Sequence, residues 1–547
     1  MNSSEDDRIT TSRSSATSTP GSTRGDVLCL HALGDSSRAM HTHHVAVSYS
    51  DSFSRKAIRK TLIGKKFSFK AQGKFQDLVF TRTFSAFDSH NEAAASTPFR
   101  GFYTLFWLAV SLFMFKTALY NWSRYGNPLG TNDIMRSMFC RDVFILLLSD
   151  GVMCALTAVT WILQRLVVDD YIDWNTTGWL LQHLWQTVFI AGVVGLTIAR
   201  DWPWSHTVFF VLHGLVLLMK QHSYAFYNGH LSTLYQEREL LCYTRGILDQ
   251  GTPEEDSSFG YSTSFSGPSS DGITDVVATS HHAFESEHAP AEETAIDEII
   301  EEVNSEVPLS PAKIASYKVI LEDEISQLTK ELVRNTTAPE RAYPNNLTIS
   351  NLCEYLVFPT VVYELEYPRS ESINWGYVLE KTAATLGVLF VMNMVSQTFI
   401  YPVVMKAVSM KEMGMPLTER LQEFPWMLSE LIFPFMMEYL LTWFLIWETI
   451  LNVLAELTRF ADRSFYDDWW NSVSWDQFAR DWNKPVHNFL LRHVYHSAIS
   501  SMNVDKHTAT LITFFFSACI HELVMWCLFK KVRGYLLILQ MFQLPVC

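Results

Sequence analysis

The residues best suited to chemistry lie in the last third of the chain, beginning with a run of seven. Phe465 to Asn471 read FYDDWWN and combine two carboxylates, two indoles, a phenol and an amide. Such a mixture is typical of a site for an amphipathic ligand, whose polar head needs hydrogen bonds and whose body needs flat apolar surface. The alternative interpretation is an aromatic anchor for a helix at a membrane surface. The composition of the run leaves both open.

A second polar cluster amid aromatic residues follows the first. It reads Trp482-Asn483-Lys484-Pro485-Val486-His487. Asn483 and His487 are four positions apart, so that a helix beginning here would place them on one face together with Trp482. The spacing predicts a small polar group presented by one short helix.

The third candidate is a pair of ionisable residues, His521 and Glu522, inside the apolar run 511–529. Ionisable side chains in a membrane helix are costly and usually face a cavity, and a neutral imidazole there is suited to act as a general base. The alternative is a histidine whose hydrogen bonds are satisfied by a neighbouring helix. Position 525 is Met, which excludes a HExxH zinc site, and Ser517 lacks the GxSxG context of a serine hydrolase.

The composition narrows the classes of protein that fit. Of 547 residues 48% are hydrophobic and only 18% are charged. The stretch 251–306 holds 14 acidic and no basic residues, which accounts for nearly all of the net charge of −15. The rest of the chain is close to neutral, so we expect no nucleic-acid surface. The 8 cysteines include no CxxC pair, and the HTHH run at 41–44 is better explained by a solvated tail than by a metal site.

Long apolar runs recur along the chain and must position these residues. Each is close to the roughly 20 residues that a membrane span needs. We predict spans near 101–121, 143–163, 178–199, 204–220, 383–405, 427–447 and 508–529. Trp and Tyr crowd their ends, as in the aromatic belts of membrane proteins. The sequence therefore predicts an all-α, polytopic membrane protein.

The hydrophilic stretches divide the chain into four regions. They are a largely disordered N-terminal region with a basic juxtamembrane segment, 1–100; four transmembrane helices, 101–230; an acidic disordered linker with an amphipathic helix, 231–340; and a catalytic transmembrane region, 341–547. The amphipathic helix is predicted over 314–333, with Ile320, Ile325, Leu328 and Leu332 on its apolar stripe.

The orientation follows from the charges next to the first span. Residues 55–82 carry nine Lys or Arg and one Asp, which predicts a cytosolic N-terminus by the positive-inside rule. Counting seven spans then places the linker and residues 450–505 on the cytosolic side. The sequons at Asn335 and Asn346 would accordingly remain unglycosylated.

The three motifs, in this order, resemble those of the membrane-bound O-acyltransferases. The nearest branch is the sterol O-acyltransferases, with which the stretch 351–369 also agrees; the runs 472–478 and 490–496 are most similar to the yeast-type enzymes. The resemblance covers roughly residues 100–547. It implies a multi-helix transmembrane bundle with an intramembrane catalytic chamber.

The resemblance also implies roles for individual residues. His521 would be the catalytic base and Asn483 the second catalytic residue, with Trp482, His487 and Glu522 supporting the site. The residues that would bind acyl-CoA are Phe465, Tyr466, Asp468, Trp469, Trp470 and Asn471. No metal and no cofactor is expected, because acyl-CoA is a substrate whose thioester is already activated.

The implied function is transfer of a fatty acyl group from acyl-CoA to a sterol in the endoplasmic reticulum membrane. The expected partners are long-chain acyl-CoA, a sterol, the lipid bilayer and further copies of the chain. The nearest alternative is a diacylglycerol O-acyltransferase. A non-catalytic or truncated lipid-binding membrane protein, which would be indifferent to His521→Ala, is another. A transporter is disfavoured because no internal repeat is visible.

The end of the chain departs from the family pattern. After the run that ends at Phe529, residues 534–544 are apolar for only 11 positions, about half of a span. Members of the family continue with another complete helical stretch. The sequence therefore predicts a shortened C-terminus.

Overall fold

The computed structural model describes most of the chain. The described residues are 80–88, 90–91, 100–130, 133–139, 142–250, 289–305, 309–334, 336 and 338–543. The tail before residue 80, most of the acidic linker, Asn335 and the last four residues lie outside them. The predictions made for those parts of the chain are therefore not addressed by the structure.

The described residues fold as α-helices, and their extended pairing is confined to two isolated bridges. The first half of the chain contains α1 (Arg100–Tyr125), α2 (Asp133–Phe139), α3 (Val143–Leu156), α4 (Ala158–Val168), α5 (Trp179–Arg200), α6 (Trp204–Gln250), α7 (Ala289–Asn304) and α8 (Pro311–Val333). The second half contains α9 (Ile349–Val357), α10 (Trp375–Val395), α11 (Tyr401–Glu412), α12 (Leu417–Trp443), α13 (Leu451–Leu457), α14 (Trp475–Asp481), α15 (Lys484–Leu490), α16 (His496–Met502), α17 (Lys506–Phe529) and α18 (Tyr535–Met541). The all-α prediction is confirmed.

Short π-helical segments join several of these helices end to end. They are Trp174–Gly178, Ser396–Ile400, Phe444–Ile450 and Leu491–Tyr495. A π-turn re-aims the side chains that follow it, and such turns are frequent at functional sites. Two of them flank the predicted motifs, one before the FYDDWWN run and one after the cluster 482–487.

Six helical stretches of the described chain are long and apolar enough to cross a membrane. They are Gly101–Tyr125, Val143–Val168, Trp174–Arg200, Trp375–Glu412, Leu417–Leu457 and Lys506–Phe529. Six of the seven predicted spans coincide with them, and the chain is a multi-pass membrane protein. The seventh, 204–220, is the first part of the 47-residue helix α6. Its apolar character is diluted by polar side chains that are buried inside the protein, among them His206 and Lys220.

The chain forms two compact units, and the described residues of the smaller one lie within 237–330. Within it, Arg245 of α6 pairs with Glu322 of α8 at 2.8 Å, and Lys318 pairs with Asp249 at 2.7 Å. The predicted helix 314–333 is present as part of α8. One member of its stripe was wrong: Ile320 is 39% exposed, whereas Leu321 is fully buried.

The prediction of disorder for the acidic linker was also partly wrong, because the last part of the linker is helical. Helix α7 occupies 289–304, where disorder was predicted. Ile296, Ile299 and Val303 are buried along one side of α7, and their spacing is that of an amphipathic helix. The acidic composition masked this stripe, because the intervening charges lower the mean hydropathy without disturbing the period.

The larger unit, residues 70–236 and 331–547, contains the candidate site and an aromatic core. Its buried rings include Tyr224, Tyr227, Tyr355, Tyr363, Phe460, Phe465 and Tyr466. Asn346 lies in this core, where its amide donates to Asn228 Oδ1 at 2.7 Å and to Tyr363 OH at 3.1 Å. The Asn346 sequon is therefore inaccessible in the folded protein, whichever side of the membrane it faces.

Candidate active site

The FYDDWWN run and the cluster 482–487 are joined into one piece, which we call the motif platform (residues 465–487). The backbone N–H of Asp467 donates to the Asp481 carbonyl at 2.8 Å, and that of Lys484 donates to the Phe465 carbonyl at 3.1 Å. The Lys484 ammonium also lies 2.8 Å from Asp467 Oδ2. Two motifs recognised separately in the sequence thus form a single surface.

The FYDDWWN run divides into a buried and an exposed part. Phe465 and Tyr466 are 2% and 1% exposed. Asp467, Asp468 and Asn471 are exposed, and so is Trp470, whereas Trp469 is half-buried. The buried pair anchors the backbone, so the polar atoms that follow can meet a ligand without losing their support.

Tryptophan rings surround the anchor. The Trp443 ring, from the end of α12, lies edge-on to Tyr466 at 4.6 Å and to Trp469 at 5.1 Å between centroids. Trp447 contacts Trp482 at 5.6 Å. Each such pair contributes about 0.5–1.5 kcal/mol beyond the area it buries. The platform is therefore held rigidly at its aromatic side.

An apolar cavity of about 370 Å³ opens beside these rings. It is lined by Phe435, Glu438, Tyr439, Thr442, Trp443, Ile446, Trp447 and Trp482. Its size is within the range of small-molecule sites, and its wall is suited to hydrocarbon. Because Trp482 precedes Asn483, the cavity lies next to a predicted catalytic residue.

Asn483 is the N-cap of α15. Its side-chain oxygen accepts the backbone N–H of Val486 at 3.3 Å, and its carbonyl accepts that of His487 at 3.0 Å. Asn is favoured at this position because it satisfies an otherwise unpaired helix N–H. The cap uses the amide oxygen, so the amide NH₂ keeps its capacity to donate to a substrate oxygen.

Two platform residues titrate away from their ordinary range. Burial lowers the pKa of His487, and the positive charge of Arg480 lowers it further, so that the ring is neutral at pH 7. Burial raises the pKa of Asp468, and the negative charges of Asp467 and Asp481 raise it further. In both cases burial is the largest cause, and it disfavours the charged form of the side chain.

His521 projects from α17 as an exposed side chain. Its Nδ1 lies 2.8 Å from the Ser517 carbonyl oxygen, one turn earlier in the helix. A carbonyl oxygen can only accept, so Nδ1 carries the hydrogen and Nε2 of the neutral ring presents a lone pair. This is the tautomer that a general base requires.

His521 and Asn483 lie on different elements. Helix α17 packs against the π-helical segment Leu491–Tyr495, which continues α15 from its Asn483 cap. Among the described residues no hydrogen bond joins His521 to Asn483 or to His487. The structure therefore places the two predicted catalytic residues on different elements, and among the described residues no hydrogen bond joins them.

Glu522 has a different environment from its neighbour. It is buried, and its carboxylate accepts the backbone N–H groups of Arg533 at 3.1 Å, Gly534 at 2.6 Å and Leu537 at 3.4 Å. These are groups at the start of α18, which folds back against α17. A carboxylate at a helix N-terminus is favourable because of the helix dipole. Glu522 thus joins α17 to the start of α18, and its predicted role in supporting the site stays a prediction.

A buried polar network lies beneath the platform and was not predicted from the sequence. Lys381 of α10 lies 2.5 Å from Glu448 Oε1 and 3.5 Å from Asp88 Oδ2, and Glu448 Oε2 accepts the Tyr466 hydroxyl at 2.7 Å. Tyr377 donates to Asp88 as well. Lys381 begins an apolar run and Glu448 lies inside another, and a charge in such a position is the signal that could have identified them.

Asp88 is ionised within that network. Burial acts to raise its pKa, but the charge of Lys381 and hydrogen bonds from Tyr377 and His90 outweigh it and hold the pKa below its usual value. The charge is fully buried and comes from a residue far away in the sequence. It is therefore part of the support of the platform.

A second buried ion pair ties the stretch 351–369 to the segment that follows α15. The Arg492 guanidinium lies 2.5 Å from Glu364 Oε1 and donates to the Tyr363 carbonyl at 3.1 Å. The adjacent His493 Nε2 lies 2.8 Å from Ser223 Oγ. Both sequence stretches carried the family resemblance without an assigned role, and the structure shows them in contact.

The chain is similar to known membrane-bound acyltransferases along most of its length. The family model described as MBOAT, membrane-bound O-acyltransferase family, matches residues 206–547. A sterol O-acyltransferase 2 of Candida albicans is 36% identical over 87% of this chain and 74% of its own length. A sterol O-acyltransferase 2 of Saccharomyces uvarum is 34% identical over 82% of this chain and 60% of its own length.

A more distant relative matches a smaller part. A diacylglycerol O-acyltransferase 1 of Dictyostelium discoideum is 34% identical over 35% of this chain and 30% of its own length. The similarity to the two sterol O-acyltransferases thus extends over more than twice as much of the chain.

Proposed function

The chain belongs to the membrane-bound O-acyltransferase family, and we propose that it transfers a fatty acyl group from acyl-CoA to the hydroxyl of a sterol, releasing a steryl ester and CoA. One observation carries this proposal. Relatives named sterol O-acyltransferase align over most of the chain, whereas the diacylglycerol O-acyltransferase aligns over about a third of it.

The proposed reaction begins at His521. Nε2 takes the proton of the sterol hydroxyl while the sterol oxygen forms a bond to the thioester carbonyl carbon. The carbonyl oxygen then bears the negative charge, and a donor such as the Asn483 amide NH₂ stabilises it. When the carbon–sulfur bond breaks, the CoA thiolate leaves and takes the proton back from the imidazolium. No metal and no covalent acyl-enzyme enters this scheme.

The motif platform is the proposed binding surface for acyl-CoA. The exposed carboxylates of Asp467 and Asp468 and the Asn471 amide suit the amide and hydroxyl donors of the pantetheine arm. They are unsuited to its phosphates, which carry the same sign of charge. The Trp470 ring offers a flat apolar face beside them.

The cavity beside Trp482 is the proposed site for hydrocarbon. Its wall is apolar and it adjoins the platform that would hold the thioester. Placing an acyl chain here would fix the reacting carbonyl near Asn483, which supplies proximity and orientation. The thioester then needs no further activation.

The cellular setting is also part of the proposal. We place the protein in the endoplasmic reticulum membrane, with the platform on the cytosolic side and with further copies of the chain as partners. Acyl-CoA is a soluble polyanion and sterol partitions into the bilayer, so a site at the membrane boundary can receive both. The family resemblance supports the oligomer.

Formation of labelled ester tests the function. Microsomes that lack their own acyltransferases would carry the wild type, His521→Ala or His507→Ala, the last being an exposed histidine of the same helix. Labelled oleoyl-CoA would be supplied with sterol and diacylglycerol in parallel. We expect steryl ester from the wild type and His507→Ala and none from His521→Ala.

Other results would contradict parts of the proposal. Triacylglycerol in place of steryl ester would assign the sister activity to the same site. Ester formation that persists in His521→Ala would show that His521 is not the base. The absence of any product from stably expressed wild type would overturn the activity and leave the family assignment in place.

A further inference from the structure

A short segment before the first membrane helix pairs with the residues that lead into the motif platform. This segment, residues 80–88, is called the strap below. The Thr83 N–H donates to the Ala461 carbonyl at 3.2 Å, and the Arg463 N–H donates to the Thr83 carbonyl at 3.0 Å. The pairing is one of two isolated β-bridges among the described residues. The strap thus runs beside the chain that enters the FYDDWWN run.

Side chains reinforce the backbone pairing at its start. The carboxylate of Asp462 accepts the Thr81 N–H at 3.0 Å and the Thr83 hydroxyl at 3.2 Å. Further along, Asn452 donates to Ser85 Oγ at 2.9 Å, and Ser85 is fully buried. The strap is therefore a fixed part of the larger unit, held by hydrogen bonds to Asp462 and Asn452.

The far end of the strap is anchored by charge. Asp88 is fully buried, accepts from Tyr377 and faces Lys381, which also pairs with Glu448. Glu448 in turn accepts the Tyr466 hydroxyl, whose oxygen accepts the N–H of Phe87 at 3.2 Å. One connected network therefore holds Phe87 against the platform.

The Phe87 ring contacts the most exposed indole of the FYDDWWN run. It stacks on Trp470 at 4.5 Å between centroids with 16° between planes, and on Tyr103 of α1 at 5.3 Å. It also lies edge-on to Trp443 at 6.1 Å. Trp470 is 41% exposed and also lies edge-on to Trp469 at 5.7 Å and to Trp443 at 6.3 Å. The Phe87 stack is nearer than either of these contacts and covers one face of the indole.

We propose that Phe87 is a positioning residue for acyl-CoA, acting through Trp470. The strap covers one face of the indole and so presents the remaining surface in a fixed orientation to the bound thioester. This inference rests on the proposed function, because it assigns a role in binding the same acyl donor. It makes a residue of the N-terminal region part of a site whose motifs lie almost four hundred positions later.

The test compares three variants in the full chain. Phe87→Leu keeps an apolar side chain and removes the stack, whereas Phe87→Tyr keeps the ring. Phe84→Leu is the matched control, because Phe84 lies on the same strap, is 43% exposed and stacks on His90. Steady-state kinetics would give KM for oleoyl-CoA, KM for sterol and kcat for each.

We expect Phe87→Leu to raise KM for oleoyl-CoA roughly threefold to tenfold, in keeping with the worth of one aromatic pair. The values for sterol KM and kcat should remain within about twofold, because the base and the acceptor are untouched. Phe87→Tyr and Phe84→Leu should match the wild type. A fall in kcat at unchanged acyl-CoA KM, or equal effects of Phe87→Leu and Phe84→Leu, would overturn the proposal.

A direct binding measurement separates this inference from the proposed function. Purified wild type and Phe87→Leu in detergent would be titrated with labelled oleoyl-CoA, with the folded fraction of each taken from its thermal unfolding. Weaker binding by folded Phe87→Leu supports the positioning role even if no steryl ester forms. Equal binding by both proteins overturns it even if the wild type is fully active.

Discussion

The motif platform and helix α17 hold their functional side chains in opposite ways. The platform is fixed by backbone pairing, by an ion pair, by ring contacts and by the buried network of Lys381, Glu448 and Asp88. His521 has one hydrogen bond, to its own helix, and is otherwise exposed. A binding surface made of flat rings needs many supports, whereas a base needs only its tautomer fixed and its lone pair accessible.

The two regions also differ in how they accommodate a buried carboxylate. Glu448 beneath the platform is matched by the ammonium of Lys381 and the Tyr466 hydroxyl. Glu522 on α17 is matched by the backbone N–H groups at the start of α18. Buried charges are expensive unless they are paired or hydrogen-bonded, and the two regions satisfy this requirement by different partners. We therefore expect substitutions in the network beneath the platform to lower stability, and substitution of His521 on α17 to lower activity.

The largest effect should come from His521→Ala. We expect the rate of ester formation to fall roughly 10²- to 10⁴-fold, the usual contribution of a general base. The thermal midpoint in detergent should stay close to that of the wild type, because the side chain is exposed. Activity within a few fold of the His507→Ala control would contradict the contrast drawn between the two regions.

Lys381→Met should act on stability. Removing the ammonium leaves the buried Glu448 and Asp88 carboxylates without their counter-charge, which typically costs 3–5 kcal/mol. The matched control is Lys406→Met, since Lys406 pairs with Glu423 at 3.0 Å on the exposed surface, where a pair is worth about 0–1 kcal/mol. Thermal unfolding in detergent would compare both with the double variant Lys381→Met/Glu448→Gln, which should recover part of the loss. Equal midpoints for the two single variants would contradict the role of the network.

The lowered pKa of His487 predicts that the stability of the protein depends on pH. Its folded-state pKa is lowered, so the stability that it contributes is present above its unfolded value of 6.5 and is lost as the pH falls through the folded value. The thermal midpoint of the wild type should therefore decline on acidification below about pH 6.5. His487→Gln should flatten part of this decline, and His507→Gln should leave it unchanged. If the thermal midpoints of all three proteins fall in parallel with pH, His487 does not cause the pH dependence.

The smallest effect is expected for the exposed ion pair that joins the two motifs. Lys484→Ala removes the contact with Asp467 and should cost less than about 1 kcal/mol, because the pair is partly exposed to solvent. A double-mutant cycle with Asp467→Ala at low and high salt would measure the coupling, which should shrink as salt rises. A coupling that is large and independent of salt would mean that the pair is desolvated in the membrane-bound protein.

The sequence was most informative where the signal is local. Six of the seven spans were predicted because a run of about twenty apolar residues is itself the requirement for crossing a bilayer. The division of FYDDWWN into ligand-facing and buried residues could not be predicted, since burial of Phe465 and Tyr466 depends on Trp443 from another helix. Where the local signal was mixed, as in α7 and the first part of α6, the predictions were wrong or incomplete.

The sequence by itself determined the helical membrane class, the order of the motifs and the residue types of the site. Only the tertiary structure decided which groups support them: Tyr377 reaches Asp88 across 289 positions, and Tyr466 is reached by the Phe87 N–H across 379. Apolar periodicity depends on neighbours within a few residues, so it carries no information about such partners. A buried charge finds its counter-charge in space, because the free energy of desolvation depends on distance between atoms and is indifferent to separation along the chain.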